Sequence, residues 1–178
     1  MCGRKFDNVD QMGHEIIDQY NKCAARSDTL VILGDFAWRD AAKWRRLIKC
    51  KDVHLIRGNH DKASDTRNFN FVRDTHMYRL GDSRFKCWAS HYPHAIWPAS
   101  HYGSFHIYGH CHWQREGYLD DRLPNRRSMD VGVDTAFMTL GKYRPFSEVE
   151  IINILGNRQG HHDLDHEKSL QEWLNSEC

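Results

Sequence analysis

Apolar positions along this chain fall into two spacings. Val9, Met12, Ile16, Tyr20 and Cys23 recur at three- and four-residue steps, which makes one face of a helix. Asp7 or Asn8, just before it, can cap that helix with a side-chain oxygen. Thr29 to Leu33 is instead a continuous apolar run, the mark of a buried strand. Ala41, Trp44, Leu47 and Ile48 predict a second helix over about 40–50, with Lys43, Arg45, Arg46 and Lys49 on its solvated side. Val53 to Arg57 reads as the next strand. Strand, helix and strand with short connections predict a parallel pair.

Residues 62–70 read as a polar loop, and Phe71 to Leu80 is ambiguous but holds a short strand. Gly81-Asp82-Ser83 is a turn signal. Strands are predicted at about 84–90 and 105–109, then a long surface loop over 113–127 carrying Arg122, Arg126 and Arg127. Ser128 to Phe137 has a strand pattern around Val131 and Val133, and Phe146 to Leu155 mixes strand and helix signals. The expected organisation is one domain over 1–155, then a polar linker and a short C-terminal helix (Leu170, Trp173, Leu174) within 156–178.

Bulk properties narrow this picture only slightly. The 178 residues carry a formal net charge of +1, which gives no global attraction to nucleic acid or to a membrane surface. No apolar run approaches the roughly 20 residues of a membrane span, and no signal sequence opens the chain, so the expected location is the cytoplasm. The six cysteines form no C-x-x-C pair and read as reduced thiols.

The chemistry sits where the strands end. Thr29–Leu33 runs into Gly34-Asp35, Val53–Arg57 into Gly58-Asn59-His60-Asp61, Phe85–Ser90 into His91, and Phe105–Tyr108 into Gly109-His110-Cys111-His112. Strand ends of α/β sheets are common ligand sites. Carboxylate, amide oxygen and imidazole together suit hard to borderline divalent metals of the hydrolytic kind. Asp35 is the candidate carboxylate bridge, Asn59 a neutral oxygen donor, and His91, His110 and His112 imidazole donors. On an extended segment His110 and His112 would face one side and Cys111 the other.

These four motifs, in this order, resemble the calcineurin-like metallophosphoesterase family, whose pattern is G-D, G-N-H-D/E, a lone H, then G-H-x-H. Arg4-x-Phe6 and Val131-Gly132-Val133-Asp134 extend the resemblance to its small single-domain bacterial and phage-type members, over roughly residues 2–155. The resemblance implies an α/β sandwich of two mixed sheets flanked by helices. It implies hydrolysis of a phosphorylated small molecule or a phosphodiester by a metal-activated water. Two divalent ions (manganese, iron or zinc) would be bound. Asp35 would bridge them, with Asn59, His91 and His110 completing one site and His112 serving the other. His60 would assist the leaving group, with Asp61 orienting it.

The family also opens on a strand ending in D-x-H, ahead of the Arg4-x-Phe6 region. That motif is missing here, so the expectation is either a truncated form of a longer chain or a variant with an impaired first metal site, in both cases with a gap in the sheet and as few as one ion bound. Asp52-Val53-His54 and Asp74-Thr75-His76 have the right letters but the wrong places, and read as coincidence. His14, His54, His76, His94, His101 and His106 read as structural, as do most tryptophans, although Trp38 and Trp97 adjoin motifs and could line a pocket. Two rival readings follow. One is an impaired or non-catalytic metal-binding scaffold. The other is a nuclease, if Arg122, Arg126 and Arg127 border the cleft.

Overall fold

The computed structural model describes residues 3–158. In chain order the elements are α1 (Val9–Cys23), β1 (Thr29–Ile32), α2 (Ala41–Leu47), β2 (Asp52–Ile56), β3 (Phe71–Arg73), β4 (Thr75–Leu80), β5 (Phe85–Ser90), β6 (Phe105–Tyr108), α3 (Glu116–Arg122), β7 (Ser128–Asp130), α4 (Val133–Leu140) and α5 (Glu148–Gly156). The helix expected around Leu170 and the histidine-rich stretch before it lie outside the described residues.

Asn8 caps α1, its side chain accepting the Gln11 N–H at 2.8 Å. Ile17 is buried while Val9 and Cys23 are exposed, so the buried stripe is narrower than the spacing predicts. β1, β2 and β3 form one parallel sheet in that order. Strand alternation splits its side chains between two cores. Leu30, Val53 and Leu55 pack with Ile17 and Ile48 of the α1–α2 layer. Leu33 and Ile56 point the other way, toward the second sheet.

That second sheet has the order β4-β5-β6-β7, with β4 antiparallel to β5 and the remaining pairs parallel. The ambiguous stretch 71–80 is two strands in different sheets, and the chain crosses between them at Asp74. β6 is buried on both faces: Phe105 and Ile107 join the inter-sheet core with Ile151 and Leu155 of α5, while His106 and Tyr108 face the opposite side. β1 is an edge strand among the described residues, and it borders a cleft of about 1360 Å³ lined by Ile16, Leu30, Ile32, Ile107 and Ile151 among others.

Three stretches differ from the sequence expectation. Residues 113–127 contain α3, and Arg126 within them is only 1 % exposed. Its guanidinium pairs with Glu116 at 3.0 Å and Asp120 at 2.8 Å and donates to the Tyr108 hydroxyl at 2.7 Å. A basic run looks solvated in sequence because its acidic partners are supplied by another turn of chain. Residues 128–137 are a three-residue strand followed by α4, because the chain turns at Gly132. The mixed stretch 146–155 is helical, fixed by a capping box between Ser147 and Glu150.

The buried His106 predicts acid sensitivity. Its Nε2 lies 2.9 Å from Ser90 Oγ, and its Nδ1 has no hydrogen-bond partner among the described residues. Burial, with smaller contributions from His94 and Arg126, lowers its pKa from 6.5 to about 3. The unfolded chain therefore binds this proton first. The resulting stability is present above the unfolded value, falls as pH drops below 6.5, and reaches its floor near 3. Between pH 7 and 5 the loss from this residue is about 2 kcal/mol. Urea unfolding with a chelator present should show a steeper pH dependence for the wild type than for His106→Gln. Equal slopes would mean that His106 is not buried neutral.

Candidate metal centre

The loops after β1 and β2 touch backbone to backbone, and two glycines permit it. A Cβ on Gly34, whose φ is +88°, would lie 2.4 Å from His91 Nδ1 and 2.6 Å from the Gly58 backbone. A Cβ on Gly58 would lie 2.2 Å from Asp35 Oδ1. Asp61 binds the two loops together. Its Oδ2 accepts the Asp35 and Gly58 N–H groups, each at 2.8 Å, and its Oδ1 accepts the Phe36 N–H at 3.0 Å. The Asp61 carboxylate thus shapes the turn that presents Asp35, which sits at a left-handed φ of +53°. The aromatic neighbour of the His60 ring is Trp38, with centroids 4.2 Å apart, and the His60 N–H donates to Asp35 Oδ1 at 2.9 Å.

His91 is buried, and its Nδ1–H donates to the Leu33 carbonyl at 2.6 Å. That bond fixes the tautomer and leaves a lone pair on Nε2. Nε2 then faces Asn59 Oδ1 at 3.0 Å, His110 Nδ1 at 3.1 Å and Asp35 Oδ2 at 3.4 Å. The ligand atoms of Asp35, His91 and His110 all lie within 4.8 Å of one another. Atoms that share one ion at bond lengths near 2.1 Å sit roughly 3.0–3.4 Å apart. Several lone pairs aimed at one point, with too few protons among them, fit a cation. Burial and the neighbouring His91 lower the His110 pKa, which favours the neutral, ligating imidazole.

His112 is placed differently. The G-H-x-H segment is a tight left-handed turn, not an extended run, with φ of +63° at His110, +47° at His112 and +70° at Trp113. β6 has already ended at Tyr108, so strand alternation no longer governs where these side chains point. His110 turns toward His91, whereas His112 Nδ1 bonds Asp134 Oδ2 at 2.6 Å. Arg4 grips the same carboxylate with two bonds of 2.6 Å. Burial by itself raises the Asp134 pKa, but the bonds from Arg4 and His112 outweigh it and hold it at about 2. The Asp134 bond in turn raises the His112 pKa. Cys111 is a free, half-buried thiol. Asp130, fully buried, accepts the Gly132 N–H at 2.6 Å and the Trp113 N–H at 3.3 Å, tying the two loops together.

The two D-x-H triplets serve the sheets. Asp52 accepts from Thr29 Oγ1 at 2.7 Å, His54 bonds Tyr78, Asp74 pairs with Arg57, and the His76 ring packs on Phe71 and Tyr78. Trp97 does not line the pocket. It is 4 % exposed, and its indole N–H donates to Ser104. Trp38 does line the large cleft beside β1, together with Asp35, His110 and His112. Sequence reading left Asp130 and Tyr92 out of the site altogether. Tyr92 directly follows His91, which is the signal that was available. Arg4 and Asp134 stood out only through family likeness, because a pairing 130 residues apart has no local signature.

Two stacked sheets with Asp, Asn and His gathered at adjacent strand ends define an α/β protein whose chemistry is organised for a metal ion. The chain belongs to the calcineurin-like phosphoesterase family, whose sequence profile matches residues 3–176. It is 27 % identical over 161 residues to an uncharacterized protein of Methanocaldococcus jannaschii, MJ1445, covering 86 % of this chain and 81 % of that one. Its fold resembles the crystal structure of AQ665, a protein of unknown function from Aquifex aeolicus, with a TM-score of 0.65 and 24 % identity over 83 % of this chain and 87 % of that one. Family membership supports a general metallophosphoesterase role with divalent metal and phosphoester substrates. No helix among the described residues is long and apolar enough to cross a membrane.

Proposed function

We propose that this chain is a metal-dependent phosphoester hydrolase acting on phosphomonoesters or phosphodiesters. The observation that carries the reading is the convergence of Asp35, Asn59 and His110 on the lone pair of His91 Nε2. Those four residues would hold one divalent ion, with manganese, iron or zinc matching the mixed oxygen and nitrogen donors. When bound, the ion supplies positive charge for phosphoryl oxygens and makes a held water more acidic. Asp61 keeps Asp35 in place through three backbone bonds. His60, which is exposed, would move a proton to the leaving oxygen.

A second ion would draw on Asp35 and His112, and His112 is held on Asp134. That observation favours the alternative of a metal-binding protein with little catalytic power. The nuclease reading has less support, since none of Arg122, Arg126 and Arg127 lines the cleft that reaches Asp35, and Arg126 is buried.

Metal content and hydrolysis of bis-p-nitrophenyl phosphate across a Mn²⁺ titration test the proposal. One tight ion per chain is expected, with hydrolysis weak at micromolar metal and rising toward millimolar, where mass action fills a weak second site. Tight binding without hydrolysis at any concentration favours the scaffold reading, and no binding of any ion rejects both. His60→Ala is expected to lower kcat by about 10²-fold or more with metal content unchanged. Parallel loss of both would make His60 part of the metal site.

A further inference from the structure

Two aromatic side chains stand at the mouth of this site. Trp38 is 69 % exposed and belongs to neither hydrophobic core. It sits on the loop that follows Asp35, its ring lies against the His60 ring, and it lines the cleft that reaches Asp35, His110 and His112. Tyr92, 46 % exposed, stands with its ring 4.5 Å from His110 and 4.9 Å from His91. An indole left in water loses the burial that normally places tryptophan in a protein. Its neighbour in space is His60, so a ring resting on Trp38 would sit beside the residue proposed to protonate the leaving oxygen.

From this placement we infer that the substrate is a phosphoester of a planar aromatic or heteroaromatic group, of the kind a nucleotide presents, with that ring stacked on Trp38. Stacking is sequence- and substituent-tolerant because every such ring has a π-face. Trp38 is exposed enough for a ligand ring to reach it. The inference rests on the phosphoester reading above and goes on to name the substrate class.

Hydrolysis rates alone cannot test it, because an aryl oxide is also a better leaving group than an alkoxide. Phosphonates remove that ambiguity, since their P–C bond is not cleaved. The experiment is calorimetric titration of the full chain, loaded with Mn²⁺, by phenylphosphonate and by methylphosphonate. The wild type should bind the phenyl compound about tenfold more tightly, the lower part of the range for one stacked ring. Trp38→Phe should keep most of that preference, and Trp38→Ala should bring the ratio to about one. Equal binding in the wild type overturns the inference. So does a ratio that survives Trp38→Ala, whether both compounds weaken together, as they would if Trp38 only props His60, or neither does. Loss of the preference in Tyr92→Ala but not in Trp38→Ala likewise overturns it. If neither phosphonate binds the metal-loaded protein, the phosphoester reading itself falls.

Discussion

Gly58→Ala is expected to weaken metal binding about 100-fold, as disturbance of groups that position ligands commonly does. In sequence the position is the glycine that opens the Gly58-Asn59-His60-Asp61 motif, and its local neighbours do not show why it is a glycine. In the fold its α-carbon faces the Asp35 loop so closely that an added methyl would lie 2.2 Å from Asp35 Oδ1, 2.6 Å from the Asp35 nitrogen and 2.8 Å from His91 Cε1. None of these is the loose end of a flexible side chain. Asp35 is bonded to Asp61 through its N–H, and His91 is bonded to Leu33 through Nδ1. Asp35 or His91 must move, and the overlap should also destabilise the fold by about 1–3 kcal/mol. Mn²⁺ titration read by calorimetry, alongside urea unfolding of the metal-free protein, checks both effects. Affinity within threefold of wild type would show that the two loops separate readily and that their contact does not set the site.

Arg126→Met should be the most damaging single change to stability away from the site. Removing one partner of a buried ion pair costs about 3–5 kcal/mol, because the remaining charge stays buried without compensation. Glu116, 4 % exposed, would be that charge, and the Tyr108 and Ser128 hydroxyls would lose the Arg126 guanidinium as donor. Tyr108 ends the strand that leads into Gly109 and His110, so the damage lies next to the turn that carries His110. Adding Glu116→Gln to Arg126→Met removes the stranded charge and should recover part of the loss. Urea unfolding at pH 7 measures both variants. A cost below about 1 kcal/mol for Arg126→Met would mean that water reaches Glu116.

Much of this architecture was legible along the chain. A buried parallel strand must be apolar throughout, so Thr29–Leu33 and Val53–Arg57 announced themselves and their parallel pairing followed from the helix between them. Candidate ligands were legible for the same reason: a polar residue straight after such a run stands at the sheet's end, and four strands repeat the pattern. Helix α3 and the start of α4 were not legible, since Pro124 and the cations near it, and the Val-Gly-Val run, carry loop and strand signals locally. Their conformations are set by Glu116 meeting Arg126 and by Asp130 capturing the Gly132 N–H.

The sequence by itself determined the family, the parallel pairing of the first two strands and the residue types that stand at the strand ends. Those depend on local pattern and on motif order, which survive in one dimension. Only the tertiary structure decided which of the histidines work together. His110 and His112 are two residues apart, yet one joins His91 and the other is taken by Asp134 and Arg4. It also turned Arg126 from a surface cation into a core residue and left Trp38 facing water beside His60. The physical reason is common to all three: a side chain's role is fixed by the charges and surfaces that meet it across the fold, and those partners come from distant parts of the chain.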